Sequence, residues 1–116
     1  MSYGYGPAPP RVPEVTVDEL EAARTTGAPL IDVREPGEYV TAHVPGAVLI
    51  PLGEVVERVD EVETTGPVYV ICASGNRSAR AVQWYRNQGI DAYNVAGGTQ
   101  AWVTSGKPAA AGSLPE

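Results

Sequence analysis

Only one cysteine and one histidine occur among the 116 residues. A single cysteine forbids an internal disulfide and a cysteine-rich zinc site, and a single histidine removes a histidine-rich metal site. No such metal site is therefore expected, and the missing disulfides fit a reducing, cytoplasmic setting. Basic residues are scarce as well. Eight Lys and Arg against fourteen Asp and Glu give a net charge of −6, the wrong sign for neutralising phosphates along DNA or RNA, so nucleic acid is not an expected partner. No apolar run approaches the ~18 residues of a membrane span, and the first residues lack the charged and apolar regions of a signal peptide. A membrane partner is thus not expected either. What remains is ordinary globular usage, 43% hydrophobic and 19% charged. A chain of this length forms one domain and buries roughly two-thirds of its unfolded surface.

The two ends differ from the middle. Met1 to Pro10 holds Gly4, Gly6, Pro7, Pro9 and Pro10 with no apolar periodicity, which predicts a disordered arm over 1–10. Lys107 to Glu116 is mostly Ala, Gly, Ser and Pro, which predicts a second loose tail over 107–116. The folded body is then 11–106. Within it, short apolar runs bounded by turn residues stand at Leu30–Val33, Ala47–Ile50, Val68–Ile71 and Ala92–Val95, each of strand length. Segments of helical period lie between and after them: Val17–Arg24, Gly37–Ala42, Gly53–Val62, Arg77–Gln88 and Thr99–Thr104. Thr16 with Glu19 makes a capping box for the first, Pro36 suits the first turn of the second, and Gly89 stops the fourth. Near-continuous apolar strands imply a sheet covered on both faces, and their alternation with helices implies parallel crossovers. The predicted fold is an open α/β sheet of about five mainly parallel strands with helices on both faces. In such sheets ligands sit outside the carboxyl ends of the strands.

Cys72 stands at the carboxyl end of the most apolar strand, followed by Ala73-Ser74-Gly75-Asn76-Arg77-Ser78 and then an amphipathic helix. Small residues closing onto a helix N-terminus turn successive backbone N–H groups inward and make an anion cradle. The anion can be the cysteine's own sulfur. A thiolate at a helix N-terminus beside an arginine has its pKa lowered from ~8.5 to between ~3.5 and ~7.5, which makes it a nucleophile at neutral pH. Gly75 supplies backbone freedom and Arg77 supplies fixed positive charge, the competing reading being that Arg77 only ties the loop to a neighbouring carboxylate such as Asp32 or Glu38. A lone cysteine at a strand end is more often a small buried hydrophobe. The polar run from Ser74 to Ser78 does not suit core packing, and the loop is therefore read as functional.

These residues resemble the rhodanese family of sulfurtransferases. Ile31-Asp32-Val33-Arg34-Glu35 with Glu38-Tyr39, His43-Val44-Pro45-Gly46-Ala47, the run from Cys72 to Ser78, and Val95-Ala96-Gly97-Gly98 with Ala101-Trp102 match the family's signatures in order and spacing. The resemblance implies a rhodanese-like sheet and a Cys72 that carries a sulfane sulfur as a persulfide, with the backbone from Ala73 to Ser78 as its cradle. The donor would be thiosulfate or a persulfide, and the acceptor cyanide or a thiol. An alternative is a sulfur-relay or interaction module that passes the sulfur only to a partner protein. A redox sensor is the weaker third reading, because no second cysteine can resolve a sulfenic acid. Four residues separate Cys72 from Arg77, fewer than in related cysteine phosphatases, which disfavours phosphatase chemistry. Neutral Ala73 and Ser74 stand where two-domain relatives that use thiosulfate well carry cations, which argues against thiosulfate as the physiological donor.

The resemblance also places Asp32 and Arg34 as braces of the loop. For Arg34 an ion pair with Glu38, one helical turn on, is an equal alternative. His43 is expected to be structural rather than a general base, Trp102 with Gly97 and Gly98 to wall the pocket, and Arg80 to be a solvated surface residue.

Overall fold

The computed structural model describes residues 11–116, so the arm predicted over 1–10 lies outside the described residues. Two-residue β1 (Glu14–Val15) leads into α1 (Val17–Arg24), and then come β2 (Leu30–Asp32), α2 (Pro36–Thr41) and β3 (Val48–Leu49). Single 3-10 turns at Leu52–Glu54 and Val59–Glu61 precede β4 (Val68–Ile71), α3 (Asn76–Asn87), β5 (Ala92–Val95) and α4 (Gly98–Thr104). The sheet order is β1-β5-β4-β2-β3, and every pairing is parallel. β4, the strand that delivers Cys72, therefore lies at the centre, with Tyr69 opposite both Leu30 and Tyr93.

Successive side chains of a strand face opposite sides of a sheet, and the core divides accordingly. Ile31, Val70 and Cys72 pack with Val82 and Tyr85 of α3 on one side. Leu30 and Ile71 pack with Leu20 of α1, Tyr39 of α2 and Trp102 of α4 on the other. This is the predicted α/β architecture with helices on both faces. α1 carries its predicted cap: the Thr16 hydroxyl accepts from the Glu19 N–H at 3.1 Å while the Glu19 carboxylate accepts from the Thr16 N–H at 2.8 Å.

Two local expectations are corrected and one further strand is found. The segment Gly53–Val62 forms two 3-10 turns rather than a helix. It carries four valines, Val55, Val56, Val59 and Val62, whose branched side chains are stiff at χ1 and disfavour a helix that has no other support. β1 was not visible as a strand, because two residues present no period; it is recruited by the β5 edge, where Asn94 N–H donates to Pro13 O and Ala96 N–H to Val15 O, both at 2.9 Å. Residues 107–116 are not a loose tail. The His43 N–H donates to Ala110 O at 2.9 Å, the Ala110 N–H returns to His43 O at 2.8 Å, and the Gly112 N–H donates to Val40 O at 2.8 Å. Lys107 reaches Asp18 and Glu21 at 2.8 and 3.0 Å. The low-complexity composition hides this, because the bonds are made by backbone groups that every residue owns.

Candidate active site

Cys72 follows β4 directly and is 1% exposed. The chain turns over its sulfur at Gly75, whose φ of +108° is open to glycine and strained for other residues. That turn aims the Gly75 N–H at Cys72 Sγ, 3.1 Å away, and α3 begins one residue later. Its first turn brings the Ser78 hydroxyl to 3.2 Å from the same sulfur. The floor of the loop is held by α4: the Thr99 N–H donates to Cys72 O at 2.9 Å and the Gln100 N–H to Ala73 O at 3.0 Å. Gly98 permits this approach, since a Cβ there would stand 2.5 Å from Cys72 O and 2.6 Å from the Ala73 carbonyl.

Two opposing effects act on the thiol. Burial pushes its pKa up, while the Ser78 hydroxyl and the backbone N–H groups of Ser78, Gly75 and Ser74 pull it down. The hydrogen-bond donors prevail, and the thiol is lowered from its ordinary value. A nucleophilic thiolate is the species such a cradle favours.

Of the two roles foreseen for Arg77, the tie to a neighbouring carboxylate is the one formed. The Arg77 guanidinium grips Glu38 of α2 in a two-pronged pair at 2.7 and 2.8 Å. The hydrogen bonds from Arg77 hold the Glu38 carboxyl down at about 2. Hydrogen-bond donors of the loop are the chief lowering influence on the thiol, Arg77 adds a through-space charge interaction with Cys72, and its ion pair ties the start of α3 to α2. Asp32 and Arg34 form a second, buried clamp. Arg34 Nε lies 3.0 Å from Asp32 Oδ1 and Nη2 lies 2.9 Å from Oδ2, while Nη2 also donates to Ala42 O at 2.7 Å. The alternative pair of Arg34 with Glu38 is not formed.

Two clefts flank the loop. One, of about 440 Å³, is bordered by Arg11, Glu14, Ser74, Asn76 and Gly97. The other, of about 510 Å³, is bordered by Arg34, Ala73, Thr99, Gln100 and Val103. Ser74 and Asn76 are exposed at the rim of the first. Trp102 lines neither; it is 4% exposed in the core, with its indole N–H donated to Pro108 O at 2.7 Å. His43 is fully buried, stacked on Tyr39 with ring centroids 3.8 Å apart, and its Nδ1 lies 2.9 Å from Tyr39 O. Arg80 is exposed on α3.

One residue of the site was not singled out from sequence. Asn94 of β5 is fully buried, with Oδ1 2.5 Å from the Ser78 hydroxyl and Nδ2 3.0 Å from Gly75 O and 3.1 Å from Glu14 Oε2. The available signal was a polar residue inside the apolar run Ala92–Val95, since a buried amide needs partners.

The family model for the rhodanese-like domain matches residues 16–105, a span that contains the whole site. The chain belongs to the rhodanese-like family. Among its relatives, the thiosulfate sulfurtransferase GlpE of Pseudomonas syringae is 33% identical over 89 residues, which cover 76% of this chain and 84% of that protein. The putative sulfur carrier protein YrkF of Bacillus subtilis is 38% identical over 95 residues, 79% of this chain and 51% of that protein. The chain therefore spans only about half of that longer relative. Among solved structures, a rhodanese-related protein from Thermoplasma volcanium superposes with a TM-score of 0.79 at 31% identity, covering 85% of this chain and 98% of that one. As a rhodanese-like domain, the protein falls among sulfurtransferases and sulfur carriers. No described helix is long and apolar enough to cross a membrane.

Proposed function

We propose that this rhodanese-like domain is a sulfurtransferase that works through a persulfide on Cys72. The observation that carries the proposal is the placement of Cys72 Sγ between the Gly75 N–H at 3.1 Å and the Ser78 hydroxyl at 3.2 Å. In the first half-reaction the Cys72 thiolate attacks the outer sulfur of a sulfane donor. A sulfur–sulfur bond forms on Cys72, and the donor's own bond to that sulfur breaks, its electron pair leaving with the first product. With thiosulfate that product is sulfite. In the second half-reaction a nucleophilic acceptor, cyanide or a thiol, attacks the terminal sulfur, and the electron pair of the Cys72 sulfur–sulfur bond returns to the cysteine as thiolate. The two half-reactions are ping-pong. The backbone from Ala73 to Ser78 stabilises the anionic sulfur throughout, and the chemistry needs no metal or organic cofactor.

The relay alternative draws support from the similarity to a putative sulfur carrier protein and from the neutral Ala73 and Ser74 beside the cysteine. The deciding experiment is intact-mass spectrometry after incubation with thiosulfate or a small persulfide, comparing wild type with Cys72→Ser. Wild type gains one sulfur atom, which cyanide or dithiothreitol removes, and the variant gains none. Equal adducts on both proteins would sink the proposal. Steady-state turnover of small donors and acceptors separates the enzyme from a relay module, which would discharge only to a protein thiol.

A further inference from the structure

The Ser78 hydroxyl has one hydrogen and two neighbours able to accept it. Cys72 Sγ lies 3.2 Å from its oxygen, and Asn94 Oδ1 lies 2.5 Å from it. The orientation of the Asn94 amide decides between them. Nδ2 faces two acceptors, Gly75 O at 3.0 Å and Glu14 Oε2 at 3.1 Å. Turning the amide over would set Oδ1 against a carbonyl and a carboxylate at those distances and leave Nδ2 facing Ser78, so the carbonyl oxygen is held toward Ser78. Oδ1 is then buried with the Ser78 hydroxyl as its donor, and Asn94 is fully excluded from solvent.

We propose that Asn94 is a positioning residue that keeps the Ser78 hydrogen away from Cys72 while the cysteine is a thiol and yields it when the cysteine ionises. The inference builds on the sulfur-transfer function proposed above, because it concerns how the same sulfur is made ready. In the resting state the Ser78 oxygen presents a lone pair to sulfur and accepts from the Cys72 S–H. On ionisation the S–H proton leaves to solvent, the Ser78 O–H rotates onto the thiolate, and Asn94 Oδ1 loses its only donor among the described residues. A buried acceptor stripped of its partner opposes that rotation. Asn94 therefore holds the idle cysteine protonated to a greater degree than Ser78 alone would. Glu14, at the edge of the first cleft, sets the amide and through it the hydroxyl. The charged groups around the loop are Asp32 with Arg34, Glu38 with Arg77, and Glu14 and Arg11 at the cleft, all retained in the variants below.

The test is the pH midpoint of Cys72 alkylation by iodoacetamide, with melting temperature measured alongside. Asn94→Leu removes the competing acceptor and is expected to lower the midpoint by up to about one pH unit, a roughly tenfold rise in thiolate below the midpoint. Ser78→Ala is expected to raise it. In the Ser78→Ala background Asn94→Leu should have no effect, since Asn94 acts through the hydroxyl. A raised or unchanged midpoint in Asn94→Leu, or the same shift in both backgrounds, would show that Asn94 only braces Gly75 and would overturn the proposal. A second measurement needs no variant at position 94. Cys72 is the sole thiol, so the wild-type protein below the midpoint has a single S–H stretching band in the infrared. That band is expected at the lowered frequency of a donating thiol, and a band at the free-thiol frequency overturns the proposal. Neither measurement uses a sulfur donor, so failure of persulfide formation and failure of the Asn94 mechanism are separate results.

Discussion

Replacing Arg77 by alanine separates a structural tie from an electrostatic one. Arg77 and Glu38 are 37% and 36% exposed as side chains and meet at 2.7 Å. The fall of the Glu38 carboxyl from 4.5 to about 2 would correspond to roughly 3 kcal/mol if the pair were shielded from water. At more than a third exposure, solvent screening reduces this to about 1 kcal/mol. For a domain of this size that lowers the melting temperature by about 4 °C at neutral pH. The pH dependence has a definite sign. A carboxyl whose folded pKa is depressed contributes stability that is fully present above its unfolded pKa and is lost as pH falls through its folded one. The gap between wild type and Arg77→Ala should therefore be constant near neutrality, begin to narrow below about pH 4.5, and close toward about pH 2. Differential scanning calorimetry across this range measures it, with iodoacetamide alkylation of Cys72 run in parallel. The alkylation midpoint should move little, because hydrogen bonds from Ser78, Gly75 and Ser74 lower the thiol. A midpoint raised by about one unit or more with an unchanged melting temperature would refute this account and give Arg77 the thiolate-holding charge.

Other substitutions probe the scaffold. Asp32→Ala leaves the guanidinium of Arg34, a residue 6% exposed, without its carboxylate, and chemical denaturation should show a loss of about 3–5 kcal/mol. Gly98→Ala forces a Cβ to within 2.6 Å of the Ala73 carbonyl at a φ of +59°; it should cost more than about 1 kcal/mol and slow Cys72 alkylation by displacing the loop. Tyr85→Phe removes a buried hydroxyl that has no hydrogen-bond partner among the described residues, so thermal unfolding should show equal or higher stability, and a clear loss would mean that a bound water satisfies it.

Local rules suffice for much of this protein. The strands that frame the site, the Thr16 cap, and the turn-and-helix that cups Cys72 were legible because each depends on neighbours within a few positions. The loop's chemistry is contiguous from Cys72 to Ser78, and a short polar run after an apolar strand already marks it. Partner choice was not legible in this way. Arg77 meets Glu38 across 39 positions, Ser78 meets Asn94 across 16, and Asn94 meets Glu14 across 80. Nothing local distinguishes an arginine that holds a thiolate from one that ties two helices, and the polar Asn94 inside an apolar strand signals a buried partner without saying which one. Parallel strand order decides both, because it sets β5 beside β4, which stands Asn94 behind the loop, and β2 beside β4, after which α2 and α3 follow. The same holds for residues 107–116, whose composition is that of a linker and whose order comes from backbone bonds to His43 and Val40. The candidate nucleophile was thus singled out by the sequence by itself, whereas the hydrogen-bond partners around it were decided by the tertiary structure, since such partners are selected by proximity in space and the chain encodes that proximity only through the whole fold.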